Sequence, residues 1–142
     1  MHTALRVIAP TLRLNHTDQQ LLMPYVRVTR YGADEVIQQR GQVPSGMTFI
    51  VDGRVTLATT TDDGVAVHVR TLERGDFLGQ TALTREPVIA GAYALDEVTV
   101  LQLDRERIEA LVLEKPVLLQ EIGRAIEERR ANVRRAVAAV KD

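Results

Sequence analysis

The chain has 142 residues, 45% hydrophobic and 26% charged, with a formal net charge of −1. This is the composition of one globular domain large enough to bury a core, and it offers no excess of cations for gripping DNA or RNA. Cysteine is absent, which excludes disulfides, thiolate nucleophiles and cysteine-held zinc, and no apolar run approaches the ~18–20 residues of a membrane span.

Residues 1–24 are predicted to form short helical pieces, with Thr17-Asp18 capping a turn that carries Leu21 and Leu22 and Pro24 ending it. From Val26 the pattern changes. β-Branched residues gather between frequent glycines, among them Gly32, Gly41, Gly53, Gly64, Gly75, Gly79 and Gly91. The runs 47–51, 54–60, 65–72, 91–94 and 97–103 read as strands, and such short strands divided by turns indicate an all-β roll or sandwich. Asp52-Gly53 and Asp63-Gly64 are each predicted to close a hairpin.

Beyond Asp104 the periodicity is helical. Asp104 is a predicted N-cap for a helix over 105–114 with Ile108, Leu111 and Val112 facing inward. Pro116 breaks that helix and opens a second one running towards Val140. Leu119, Ile122, Ile126, Val133, Ala136 and Val140 make a heptad-like stripe interrupted by Arg129, while Arg124, Glu127, Glu128, Arg130, Arg134 and Arg135 fall on the opposite face. Leu119 and Ile122 are expected to pack on the roll. The stripe beyond Arg129 is a candidate surface for forming a homo-oligomer.

No catalytic constellation emerges. His2, His16 and His68 have no ligand spacing, Ser45 lacks the strand-to-helix setting of a nucleophile elbow, and Asp62-Asp63 and Asp96-Glu97 sit at turns. The expectation is therefore a protein that is not an enzyme and needs no metal or cofactor. One stretch does suggest a ligand: GDFLGQTALTREPVIAGAYA, from Gly75 to Ala94. Its paired glycines lead into a short helix opening at Gln80-Thr81-Ala82-Leu83, whose unpaired N–H groups and dipole attract an anion.

The order of these parts resembles the cyclic nucleotide-binding domain family over roughly residues 12–132. Tyr31-Gly32-Ala33-Asp34-Glu35-Val36-Ile37 is similar to the family's Gly-Glu-x-Ile segment. Met47-Thr48-Phe49-Ile50-Val51-Asp52-Gly53-Arg54-Val55 is similar to its Tyr-Ile-Val-x-x-Gly-x-Val hairpin. Leu72-Glu73-Arg74-Gly75-Asp76-Phe77-Leu78-Gly79 resembles the start of its phosphate-binding cassette, with Ala82-Leu83 and Glu86-Pro87 following. Asp104-Arg105 resembles the start of its penultimate helix. The resemblance implies a mainly β fold: an eight-stranded β-roll of the jelly-roll-like, double-stranded β-helix kind over 25–103, with its cassette at about 75–91. An N-terminal helical segment at 1–24 and two C-terminal helices at 104–142 would flank it.

It also implies a regulatory domain that takes cAMP or cGMP. In that family a cassette glutamate accepts from the ribose 2′-hydroxyl, N–H groups of the short helix hold the cyclic phosphate, an arginine pairs with it, and a Thr or Ser adds a hydroxyl. The implied ligand-binding positions here are Gly79, Gln80, Thr81, Ala82, Arg85, Val88 and Gly91. Gln80 stands at the glutamate, Val88 at the arginine and Gly91 near the hydroxyl, and the segment 83–85 is one residue short. Losing a charge-assisted hydrogen bond costs ~1.5–3 kcal/mol, roughly 10- to 150-fold in affinity. Arg85 is the nearest replacement and Arg70 a more distant one. The tail IGRAIEERRANVRR over 122–135 is similar in character to the C-terminal ends of bacterial mechanosensitive-type channels bearing such a domain. The expected setting is thus the cytoplasmic side of a channel or transporter, touching the membrane only through a parent protein. The alternative is a structural or oligomerisation module that keeps the fold without binding nucleotide.

Overall fold

The computed structural model describes residues 5–6, 9–10 and 12–141, the last for its backbone alone. Helix α1 (His16–Leu22) starts from a reciprocal cap. The Asn15 side chain accepts from the Asp18 N–H at 2.8 Å, and the Asp18 carboxylate accepts from the Asn15 N–H at 3.0 Å. The cap is therefore Asn15, two residues ahead of the expected Thr17, because Asp18 is placed to answer it three residues on. A 3₁₀ turn at Met23–Tyr25, with Pro24 at its start, delivers the chain to the first strand.

Eight strands follow: β1 (Arg27–Tyr31), β2 (Val36–Gln38), β3 (Gly46–Asp52), β4 (Val55–Thr60), β5 (Ala66–Leu72), β6 (Phe77–Leu78), β7 (Gly91–Ala94) and β8 (Val98–Asp104). They form two four-stranded antiparallel sheets, ordered β1-β8-β3-β6 and β2-β7-β4-β5. This is the expected eight-stranded roll. Alternation along the strands explains how it packs. In β8, Val98 and Val100 point between the sheets while Leu101 and Leu103 point at the helices, and β3 divides Ile50 from Met47 and Phe49 in the same way. The central strands β8 and β3 of the first sheet are thus buried on both faces, while the edge strand β1 stays largely exposed.

One predicted hairpin is corrected. Asp63-Gly64 does close β4 onto β5, with Thr61 and Val65 bonded at 2.9 Å across the turn. Asp52-Gly53 does not close a hairpin, since β3 and β4 lie in different sheets. It is a corner, and the glycine is required there. Gly53 has φ +94, and a Cβ on it would stand 2.3 Å from the Glu97 carbonyl oxygen.

Helices α2 (Arg105–Glu114) and α3 (Val117–Lys141) complete the fold. Asp104 occupies the cap position of α2, but its carboxylate pairs with Arg27 at 2.9 Å and makes no side-chain cap. On α3 the buried residues are Leu118, Ile122 and Ile126, which join Ile108 and Leu111 against Met47, Phe49 and Leu101. Leu119 is 53% exposed, so the predicted stripe is out of phase by one residue at its start. Lys115, at the joint between the two helices, donates to the Arg13 carbonyl at 2.7 Å and pairs with the Asp18 carboxylate. The N-terminal segment therefore fixes the point from which α3 departs.

Candidate ligand-binding site

The cassette runs from β6 into a single 3₁₀ turn, Gln80–Ala82. Gly79 introduces it with φ +80, in close contact with β3: a Cβ would meet the Gly46 carbonyl oxygen at 2.3 Å. The turn is closed by the Ala82 N–H on the Gly79 carbonyl at 3.0 Å and the Glu86 N–H on the Thr81 carbonyl at 3.3 Å. The shortened segment 83–85 ends on Arg85 at φ 58, a left-handed residue that reverses the chain. Arg105 at the head of α2 braces this turn, donating from Nε to the Ala82 carbonyl at 2.7 Å and from Nη2 to the Pro44 carbonyl at 2.9 Å.

Beside the turn lies a cavity of about 990 Å³, at the upper end of the ~300–1,000 Å³ usual for small-molecule sites. Its main walls come from three places, with Gln38, Arg40 and Gly41 of β2 and the turn after it at the edge. The cassette contributes Gln80, Thr81, Glu86 and Val88. Strand β4 contributes Leu57 and Thr59, and α3 contributes Ile126, Arg129, Arg130 and Val133. Of the seven implied ligand positions, the structure thus brings Gln80, Thr81 and Val88 to the cavity. Gly79 and Ala82 shape the turn from behind, Gly91 lies within β7 facing β4, and Arg85 does not line the cavity. Arg70 is also elsewhere, 3.9 Å from both Asp76 and Glu128.

Gln80 and Thr81 are 6% and 7% exposed. The Thr81 hydroxyl has no hydrogen-bond partner among the described residues, an unusual condition for a buried polar group. Val88 is buried, and its backbone is fixed by bonds to Gln42 and Gly41 at 2.9 and 2.8 Å. Among the described residues, no cation stands on the cassette wall of the cavity.

The half-buried cations stand opposite. Arg129 and Arg130 on α3 are half-buried on the lining. Arg129 reaches the Phe77 carbonyl at 3.3 Å; burial and the neighbouring Arg70 push its pKa down to about 10, with Asp76 and Glu128 opposing, so it stays charged at neutral pH. Arg130 donates to Glu86 at 2.7 Å and to Glu127 at 2.8 Å. Sequence reasoning missed both as site residues. Arg130 fell on the face opposite the apolar stripe, and Arg129 registered only as a gap in that stripe. That gap was the available signal.

Among the described residues, no group of three His, Asp or Glu side chains is placed to hold a metal ion, and no helix is long and apolar enough to cross a membrane. His68 is exposed and bonds Thr56 at 2.8 Å.

The comparisons with known proteins agree with this architecture. A cyclic nucleotide-gated potassium channel of Rhizobium etli is 35% identical over 99 residues, a match covering 69% of this chain and 26% of the channel. Among solved structures, the catabolite activator protein of Thermus thermophilus superposes with a TM-score of 0.73 at 20% identity, covering 90% of this chain and 61% of that one. The regulatory subunit of a cAMP-independent protein kinase A from Trypanosoma brucei does so with a TM-score of 0.74 at 20% identity, covering 86% and 46%. The chain therefore spans about a quarter to three-fifths of these relatives. The cyclic nucleotide-binding domain family matches residues 28–115, from β1 through α2 to the joint before α3. With that span and this roll, the chain belongs to the cyclic nucleotide-binding domain family, whose members are regulatory domains.

Proposed function

We propose that this domain senses a cyclic mononucleotide for a channel or transporter of which it is the cytoplasmic module. The observation that carries the reading is the shared construction of the cavity: one wall is the cassette, with the unpartnered Thr81 hydroxyl and buried Gln80, and the facing wall is α3. A ligand seated there touches both walls. It can bias the position of α3 by its differential affinity for the open and closed arrangements, which is what a sensor requires. The channel setting draws support from the Rhizobium etli relative.

Gln80 can meet a ribose hydroxyl without the charge assistance of a carboxylate, and Val88 leaves the phosphate without its usual cassette cation. The expected affinity is correspondingly low. The test is a calorimetric titration with cAMP and with cGMP up to millimolar concentration; one-site binding of either supports the sensor reading.

A second reading has its own observation. Helix α3 is fastened to the roll by the chain's own residues, through Arg130 to Glu86 and Arg129 to the Phe77 carbonyl. A helix held to the roll by the chain's own residues fits a contact module that no longer responds to nucleotide. No heat with either nucleotide, together with self-association in analytical ultracentrifugation, would favour this second reading.

A further inference from the structure

The cavity contains an internal anion held by a cation from the opposite wall. Glu86 belongs to the cassette, one residue ahead of Pro87, and Arg130 belongs to α3; both line the cavity, and their charged ends are 2.7 Å apart. The pair spans the two walls that a ligand would have to bridge.

The cavity's described cations are Arg40, Arg129, Arg130 and Arg134. Arg40 and Arg134 are exposed at its margins. Arg129 is committed to the Phe77 carbonyl on the roll. Arg130 is the half-buried guanidinium already bound to a carboxylate inside the site, and its second nitrogen is steadied by Glu127 at 2.8 Å, three residues earlier on α3.

We propose that Arg130 neutralises the phosphate of the bound nucleotide in place of the missing cassette arginine, and that the Glu86 carboxylate is its resident competitor. This rests on the sensor reading above. A carboxylate and a phosphate diester monoanion offer a guanidinium the same kind of paired oxygen acceptors, so exchanging one for the other keeps Arg130 charge-paired. Displaced Glu86, whose side chain is already 45% exposed, is taken up by water at little cost. The consequence is a change in what phosphate recognition controls. With the cation on the cassette, the phosphate would bind whatever the lid does. With the cation on α3, binding the phosphate and holding the lid become one event. The Glu86 pair holds the same helix in the ligand's absence.

The experiment compares cAMP with adenosine, which has no phosphate, on the whole chain and on Glu86→Gln, Arg130→Gln, Arg130→Lys and Val88→Arg variants. Removing the competitor in Glu86→Gln should tighten cAMP about 2- to 5-fold, the worth of one exposed ion pair. Arg130→Gln should weaken cAMP roughly 10-fold or more, with partial recovery in Arg130→Lys. Adenosine should move less than about 2-fold in all three, reflecting the absence of a charge-assisted partner. Without ligand, Glu86→Gln should also speed amide exchange across 126–137 of α3. If the parent chain binds cAMP and neither the Glu86 nor the Arg130 variants change that affinity, the assignment is wrong while the sensor reading stands. If no chain binds cAMP or cGMP, Val88→Arg included, the sensor reading fails and this assignment fails with it.

Discussion

Returning an arginine to the cassette is the perturbation whose consequences can be worked furthest. Val88 is 6% exposed, lines the cavity, and has both backbone groups bonded to the 41–42 turn, so Val88→Arg changes the side chain while the backbone stays fixed. The cost is the lost burial of a valine, about 1.5–3 kcal/mol. At about 4 °C per kcal/mol for a domain of this size, the unliganded melting temperature should fall by roughly 6–12 °C. The gain is one charge-assisted hydrogen bond to the phosphate, ~1.5–3 kcal/mol, or about 10- to 150-fold in affinity for cAMP. Ligand at a hundred times Kd restores about 2.7 kcal/mol, so saturated and unliganded variants should melt far apart. Calorimetry and thermal melting together provide the assay. A variant that melts cooperatively yet binds cAMP no more tightly than the parent would refute the reasoning, since it would mean the shortened 83–85 turn has withdrawn the cradle from the phosphate.

Three further outcomes follow from the site's supports. Gly79→Ala should lose at least 1–2 kcal/mol to left-handed strain alone, with more from the 2.3 Å approach to the Gly46 carbonyl, and this is read by chemical denaturation. Arg105→Met removes two charged hydrogen bonds from the carbonyls of Ala82 and Pro44; it should cost about 1.5–3 kcal/mol for the better of them and accelerate amide exchange in the cassette turn. The Lys115 ammonium beside Asp18, opposed by burial and aided by the Asn15 N–H, holds the Asp18 carboxyl below its usual 3.8. A depressed folded value means that the stabilisation is present above pH 3.8 and is lost as pH falls through the folded value, so melts across pH 2–5 should lose this contribution only at the acid end. Asp18→Asn should flatten that part of the profile.

Much of the roll was legible because its signals are local. Alternation in 97–103 and 65–72 marks β8 and β5 within a residue, and the glycine pair around Phe77 marks the cassette. The misreadings arose where a local signal has two tertiary uses. Asp-Gly turns the chain at Asp63-Gly64 and at Asp52-Gly53 alike; only the pairing of β3 with β8 and of β4 with β7 reveals the second as a corner between sheets. On α3 an apolar run of Val117, Leu118 and Leu119 leaves the phase open, and contact with the roll selects Leu118. The site divided in the same way. Gln80, Thr81 and Val88 could be found by position in the cassette, whereas Arg129 and Arg130 enter the cavity from a helix some 40 residues later, and no spacing rule links them to it. A charged residue on a helix reads as solvated until its neighbour across the groove is known.

The central claim is that one ligand engages both walls of the cavity, and methyl NMR reports on those walls separately. Val88 marks the cassette, Leu57 the strand wall, and Ile126 and Val133 the lid helix. Titrating the chain with cAMP should shift all four along a single binding curve. Shifts confined to one wall, or none with either cAMP or cGMP at millimolar concentration, would contradict the account.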